Sequence, residues 1–312
     1  MAGEQAFIEV LKAIATDKAA RGLTDDTAVL KISGTSLVLT HDILVEGVHF
    51  LPGTDPQDVA WKLVATNMSD LAAKGAKPLG VMLGYILHDN DWDIAFAKGL
   101  GDALAHYNAP LLGGDTVGAP RADMVRSFGL TAIGEAPLGG APSRSGAKTG
   151  DMLYLCGNIG DAMLGFEAIS AGQAAADTAL TRSYLRPKAL LAEGQRIAPI
   201  ANAMMDVSDG LLLDAYRMAQ ASGVTLHIDS GKVPVSKAAQ HIMSGLSADS
   251  AKDKFQAMLR WGDDYALLFA APADAKVADD AKIIGRIGAY DKAPLIMDGE
   301  MIASSADLGY QH

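Results

Sequence analysis

Residues 137–150 read PLGGAPSRSGAKTG, a stretch so dense in Gly, Pro and Ser that neither a helix nor a strand is expected to run through it. Segments of mixed helical and strand pattern lie on both sides of it. A chain of 312 residues is long for one core and ordinary for two. The expected architecture is therefore α/β with mixed α+β character, in two domains over residues 1–140 and 141–312. In the first half, Phe7, Ile8, Leu11 and Ile14 have helical spacing, and strands are expected at about 27–32, 36–42, 79–87, 109–113 and 123–135. A helix should start at Pro56, behind Thr54 and Asp55 as caps, and run to about residue 73; another should span 92–106. In the second half, strands are expected at about 151–156, 202–206, 223–229, 264–270, 283–288 and 294–298. Helices are expected there at about 160–171, 188–200, 210–221, 236–243 and 252–260, with a polar loop around Arg186 and Pro187. NMSDLAAKGA (67–76) faintly echoes DVSDGLLLDA (206–215), but no longer repeat is present.

Strand 36–42 is expected to stop at a charge, Asp42, and a lone His49 follows the turn with no basic residue nearby to pair with either. Asp42 is one of a set at the ends of predicted elements: Asp25 and Asp26 in LTDDTAVL, Asp70 in NMSD, Asp115 in LLGGDT, Asp206 and Asp209 in DVSDG, and Asp263 and Asp264 in WGDDY. Any one of these is an ordinary acidic loop residue. Together they are unusual, because most sit beside Gly, Ser, Thr and apolar residues and not among the Lys and Glu of a solvated face. Asp42, Asp115 and Asp206 are each expected to end an apolar strand, where open α/β sheets gather ligands. Carboxylates brought together repel unless a cation lies between them, and an oxygen-only donor set suits Mg²⁺ bridging to phosphate. Metal-mediated phosphoryl transfer is the chemistry this pattern favours.

Charge points the same way. With 26 basic against 37 acidic residues the net charge is −11, which excludes a basic nucleic-acid footprint and leaves metal ions to meet any phosphate. The two common nucleotide cradles are absent: in GGAPSRSGAKTG, Ala147 separates the second Gly from the Lys and Ala141 stands where the first Gly belongs, and no GxGxxG follows a strand. The Gly pair at 113–114 allows close backbone approach to an oxyanion, although most such pairs are only turns. Arg144 is either a bidentate phosphate clamp or a solvated linker residue. His49 is either a loop histidine or a ligand contact. The sole cysteine, Cys156, reads as a buried strand residue, since no base lies near it in sequence. No apolar run reaches membrane-spanning length and the N-terminus lacks a signal-peptide pattern, so a cytoplasmic location and no membrane partner are expected.

Seven segments in order, LTDDTAVL, THDILVEGVHF, NMSDLAAKGA, LLGGDT, SRSGAKTGD, DVSDG and DDYALLF, resemble the thiamine-monophosphate kinase family. That family belongs to the ATP-binding superfamily that includes aminoimidazole ribonucleotide synthetase. The resemblance covers nearly the whole chain, down to the C-terminal LGYQH. It implies direct in-line transfer of the ATP γ-phosphoryl group to the phosphate of thiamine monophosphate, without a phosphoenzyme. It also implies an N-terminal domain whose strands join a dimer-spanning β-barrel, and a C-terminal α/β domain completing the site. By position, Asp26, Asp42, Asp70, Asp115 and Asp206 resemble Mg²⁺ ligands, with Thr40, His41 (through its backbone carbonyl) and Asp209 as additional ones. Tyr107, Gly114, Asp115, Arg144 and Ser208 resemble nucleotide contacts. His49 and Asp263 resemble contacts to thiamine monophosphate, and Tyr310 a residue that packs on its rings. Several Mg²⁺ ions and ATP are implied, and a monovalent cation stays open. The chain departs from the family in having Thr24 before the Asp pair, His41 for Thr, and Asp263 for Glu. The rival readings are a superfamily enzyme with a different acceptor and a catalytically silent nucleotide-binding protein on the same fold.

Overall fold

The computed structural model describes residues 3–121, 123–173 and 178–310, so the last two residues of LGYQH lie outside the described part. The N-terminal half comprises α1 (Gly3–Lys12), β1 (Ala28–Ile32), β2 (Thr35–Val45), α2 (Pro56–Ala72), β3 (Lys77–Leu87), α3 (Asn90–Tyr107), β4 (Leu111–Gly118) and β5 (Ser127–Glu135). The strands form one five-stranded sheet in the order β1-β2-β5-β3-β4, antiparallel except for the β3–β4 pair.

The other half comprises β6 (Met152–Cys156), α4 (Asp161–Ala168), α5 (Ala179–Leu185), α6 (Leu191–Ile197), β7 (Ala203–Val207), α7 (Leu211–Ser222) and β8 (Val224–Ile228). It continues through α8 (Lys237–Ser244), α9 (Ala248–Met258), β9 (Ala266–Ala271), β10 (Ala281–Ala289), β11 (Leu295–Met297) and β12 (Glu300–Ile302). Its seven-stranded sheet runs β12-β11-β8-β10-β6-β9-β7, and only β8–β11 is parallel. Most predicted elements are present with shifted ends, but α5 falls inside what reads as a polar loop. Its N-terminal Thr178 accepts from Thr181 N–H, a capping interaction that the preceding polar residues hide in the sequence.

Two expectations are corrected. β2 does not stop at Asp42; it continues to Val45, with Asp42 paired opposite Leu130. Asp115 likewise lies inside β4, and Asp206 is the penultimate residue of β7. The sheets are mostly antiparallel, so the strand-end rule of parallel sheets is not what gathers these carboxylates. Strand alternation does part of that work. Along β2, Val38, Thr40 and Leu44 are buried, and Asp42 shares their face. The intervening His41 and Ile43 are exposed on the other face.

Helix α2 links the two sheets. Asp55 caps it by accepting from Gln57 N–H, and Pro56 supplies a pre-set first turn. Nearly every residue from Val59 to Ala72 is buried, so this helix is enclosed on all sides. Val59, Leu63, Val64 and Met68 join the first-sheet core with Phe96, Phe128 and Leu130. Ala72 joins a second core with Ile197, Ala198, Met204, Leu267 and Phe269, on one face of the second sheet. Cys156 is buried in that same cluster, as expected. The opposite face of the second sheet packs against α7 through Leu212, Ala215 and Met218. Both faces of the second sheet are thus covered, whereas the first sheet has a covered face and a bare one.

Candidate active site

A cleft of about 610 Å³ opens where β2, α2, the 206–210 turn and the 260–265 loop meet. α2 carries polar residues four apart, Lys62, Thr66 and Asp70, followed by Lys74 just beyond the helix; Thr66 and Asp70 line the cleft, and the two lysines are buried. That spacing stacks them on one side. Asp42, His49, Asp70, Asp206, Ser208, Asp209, Asp263 and Tyr310 line the cleft. Carboxylate oxygens of Asp26, Asp70 and Asp206 lie within 4.8 Å of one another. Thr40 Oγ1 donates to Asp70, and Ser69 Oγ donates to Asp206 at 2.5 Å. The faint echo between 67–76 and 206–215 falls on the end of α2, which carries Asp70, and on the turn before α7, which carries Asp209, and both residues line the cleft.

Burial pushes Asp42 up to about 6, and the nearby charge of Asp209 adds to it against a hydrogen bond from Thr66. Burial likewise pushes Asp206 up to about 6, with Asp214 and Asp42 contributing. Asp70 is raised well above the usual carboxylate range, first by burial and then by Asp42 and Asp206. These are like charges held together by the fold without enough positive charge among them. A hard divalent ion fits this oxygen-only set, and Asp26, Asp42, Asp70 and Asp206 are the residues that would hold it.

Arg144, at the crossing between the sheets, is not a solvated linker residue. It donates to Asp26, its Nε lies 3.9 Å from Asp25 with no hydrogen-bond acceptor, and its backbone carbonyl accepts from Ser222. Burial also holds the pKa of the guanidinium below its ordinary value. A buried fork with an unspent donor suits a phosphate oxygen.

The far end of the cleft is aromatic, with Phe166, Tyr184, Trp261 and Tyr265 on its walls. Phe166 packs on Trp261 at 5.0 Å and on Tyr184 at 5.4 Å. Beside them, Asp263 accepts from Lys62 Nζ at 2.7 Å and from Tyr265 Oη at 2.9 Å. Lys62 also donates to the His49 carbonyl at 3.0 Å and sits 4.0 Å over the Tyr184 ring. Both Asp263 and Tyr265 have positive φ, 67° and 50°, a cost of the kind found where a loop is held in place for function. Gly210 makes room for that loop: a Cβ there would meet the Arg260 carbonyl oxygen at 2.6 Å. His49 Nδ1 accepts from Val45 N–H at 3.0 Å, which leaves the ring proton on Nε2. Tyr310 is tied to the cleft through its N–H, which donates to the Asp209 carbonyl at 2.9 Å.

Three predicted residues lie elsewhere, and the side chain of a fourth, His41, whose expected contact was its backbone carbonyl, points to the bare face of the first sheet, where its Nδ1 meets Thr131 Oγ1 at 2.8 Å. Gly114 and Asp115 are on β4, an edge strand exposed along its whole length. Gly114 is needed there because a Cβ would meet the Leu83 carbonyl oxygen at 1.9 Å, a contact within the sheet. Tyr107 is in the first-sheet core, and its hydroxyl accepts from Ala189 N–H at 3.0 Å. A nucleotide contact from Tyr107 would have to break that bond. Sequence reading passed over Lys62, Lys74, Ser69, Asp214, Arg217 and the Phe166–Trp261 pair. The two lysines had a signal, polar residues recurring at four-residue spacing along α2. The carboxylate of Asp214 accepts from both Ser208 and Asp209 N–H at 3.0 Å, and Arg217 bridges Asp209 and Asp214. That network, which holds the 206–210 turn, leaves no pattern of its own in the sequence.

Known proteins bear on this geometry. Residues 24–136 match the AIR synthase related protein N-terminal domain, and residues 148–295 match the corresponding C-terminal domain. The thiamine-monophosphate kinase of Escherichia coli (strain K12) is 36% identical over 293 residues, 90% of this chain and 84% of that protein. The one from Caulobacter vibrioides is 38% identical over 262 residues, 81% of this chain and 72% of that protein. Among solved structures, AaThiL complexed with AMPPCP and TMP superimposes with a TM-score of 0.86 at 30% identity, covering 97% of this chain and 95% of that one. With relatives this similar over most of their own length, the chain belongs to the thiamine-monophosphate kinase family of the AIR synthase related proteins.

Proposed function

We propose that this chain transfers the γ-phosphoryl group of ATP to thiamine monophosphate, giving thiamine diphosphate and ADP. The observation that carries this reading is a cleft lined by the carboxylates Asp42, Asp70, Asp206 and Asp209 and by the rings of Phe166, Tyr184, Trp261 and Tyr265, with Asp26 and its partner Arg144 against Asp70 and Asp206. A phosphate-bearing aromatic heterocycle suits that pairing, and it is the acceptor in the relatives' name. In-line attack by a phosphate oxygen of the acceptor on the γ-phosphorus requires orientation and charge compensation more than a protein nucleophile, and among the described residues no nucleophile–base pair lines the cleft. Asp26, Asp42, Asp70 and Asp206 would hold Mg²⁺, with Thr40 and Asp209 supporting them. Bound Mg²⁺ would supply positive charge to the transferring phosphoryl oxygens. Arg144 and Ser208 would meet the nucleotide phosphates. His49 would offer Nε2–H to the acceptor, Asp263 would orient it, and Tyr310 would close over its rings. The division of labour follows residues 1–140, for ATP and Mg²⁺ binding and dimerisation, and 141–312, for completing the nucleotide and acceptor sites, with Asp206 and Asp209 joining the metal set from that second half.

The assay is direct. With ATP, Mg²⁺ and thiamine monophosphate, thiamine diphosphate is expected, and EDTA should abolish its formation. Free thiamine should be a poor acceptor because it lacks the attacking phosphate. Equal turnover of thiamine and its monophosphate would sink the reading, and turnover of neither would favour a superfamily enzyme with another acceptor.

The same reading includes a homodimer whose first sheets close into a shared barrel. Leu30, Ile32, Ile43, Met82 and Val117 are 38–53% exposed on the bare face of that sheet, an apolar surface large for a lone subunit. Gly114 and Asp115 belong to this reading through the β4 edge that a partner sheet would cover. No helix of the described residues is long and apolar enough to cross a membrane, which accords with a cytoplasmic enzyme. Light scattering is expected to give twice the chain mass at micromolar concentration. A stable monomer would count against the barrel.

A further inference from the structure

Lys74 is fully buried, and its Nζ has three acceptors: Asp25 Oδ1 at 2.6 Å, Asp26 Oδ2 at 2.9 Å and the Met204 carbonyl at 3.3 Å. All three ammonium hydrogens are therefore engaged and the group is fixed. Asp25 has a second cationic partner, because Arg21 pairs with its other oxygen. Burial pushes Asp25 up, but Lys74 and Arg21 outweigh that and hold it below the usual carboxylate range. Asp26 is different. It shares the three-carboxylate cluster with Asp70 and Asp206, yet Arg144 engages one of its oxygens and Lys74 the other. A metal ion approaching Asp26 must compete with both. The charge of Lys74 also reaches Asp70 and Asp206, where it offsets part of their repulsion. The two competitors are not alike. Arg144 has an unspent Nε and can turn to a phosphate, whereas Lys74 is enclosed by protein on every side.

We infer that Lys74 is a built-in counter-cation of the carboxylate cluster, which weakens the cleft for a divalent ion alone and so makes metal binding depend on the nucleotide. A fixed positive charge close behind Asp26 disfavours a free divalent ion. Bound phosphates add negative charge and draw Arg144 away, which restores the balance. Lys74 is thus a positioning residue that sets the order in which charges assemble. The inference rests on the proposed phosphotransferase reading, but its test needs no turnover and stands or falls separately.

The probe is Mn²⁺, followed by electron paramagnetic resonance on the full chain, with and without the ATP analogue AMPPCP. Lys74→Gln keeps hydrogen-bond donors toward Asp25 and Asp26 and removes the charge. It is expected to bind Mn²⁺ without nucleotide about tenfold more tightly than the parent chain. The gain in Mn²⁺ affinity on adding AMPPCP should shrink by the same factor, since the two ligands are linked. Lys74→Arg, which keeps the charge, should behave as the parent does. If Lys74→Gln binds Mn²⁺ no more tightly than the parent, the residue is only a structural ion pair and the inference is overturned. Should the variant be unfolded without metal, thermal melting decides: recovery of a folding transition with Mn²⁺ supports the counter-cation role, and no recovery at saturating Mn²⁺ refutes it.

Discussion

Asp70→Asn is expected to lower the rate of phosphoryl transfer by about a hundredfold to a thousandfold, the range typical for removing one group that compensates transition-state charge. Asp70 sits on the cleft side of α2 between Asp42 and Asp206, and an amide cannot neutralise a divalent ion. The fold should survive, because Asn keeps an oxygen to accept from Thr40 Oγ1. The metal-free variant should in fact melt higher than the parent at neutral pH, since a source of repulsion is gone. The sign of the pH effect follows from the raised carboxylates. A group whose folded pKa lies above its unfolded value stabilises the protein at low pH, and that stability is lost as pH rises through the folded pKa. Asp42 and Asp206 are at about 6 and Asp70 is raised further, so the metal-free parent should melt lower at pH 7.5 than at pH 5.5. Asp25, held low, changes nothing in that window. Calorimetry in EDTA should show this slope, a shallower one for Asp70→Asn, and a reduced one at saturating Mg²⁺. Parent-like turnover by the variant would remove Asp70 from the metal set.

Asp263→Ala should act on two quantities at once. From sequence, the expectation is a raised KM for thiamine monophosphate at nearly unchanged kcat, because Asp263 stands where the family usually has Glu and falls short by about 1.5 Å. The structure adds a stability effect. Asp263 is the charge partner of Lys62, whose side chain is 3% exposed, and its removal leaves that cation with only the His49 carbonyl and the Tyr184 ring. A loss of about 2–3 kcal/mol is expected, below the figure for a fully enclosed pair because Asp263 itself is partly open. The two effects separate in Asp263→Asn, which removes the charge but keeps one oxygen to accept from Lys62 and sets an NH2 donor beside the Tyr265 hydroxyl, which can turn to accept. It should raise KM with a smaller fall in melting temperature. A hundredfold lower kcat at saturating acceptor would place Asp263 with the metal-binding carboxylates instead.

The lysine partner alters how the shorter side chain is understood. Lys62, the His49 carbonyl, Asp263 and Tyr265 form one hydrogen-bonded chain along the acceptor end of the cleft. The loop carries positive φ at Asp263 and Tyr265, so its path and not side-chain length alone sets where the carboxylate stands. Restoring the longer Glu has to be accommodated by that loop as well as by the acceptor.

Much of the site was legible because burial leaves a local trace. Asp42, Asp70, Asp206 and Asp209 sit among apolar and small residues, and carboxylates in such company are either paired or metal-bound. The period-2 alternation of β2 puts Thr40 and Asp42 on the α2 side and turns His41 away, although the strand runs past the point where the charge seemed to end it. The helical spacing of α2 carried Lys62 and Lys74 in plain view, but nothing local says what an isolated lysine will pair with. Lys62 meets Asp263 across 201 positions and Lys74 meets Asp25 across 49. The amino-acid order by itself determined which donor atoms the cleft contains and which face of each strand or helix they occupy, since both follow from residue type and backbone period. Only the tertiary structure decided which charges stand next to them and that the two sheets are mostly antiparallel, because pairings between distant segments depend on how the sheets pack around α2 and on no local pattern.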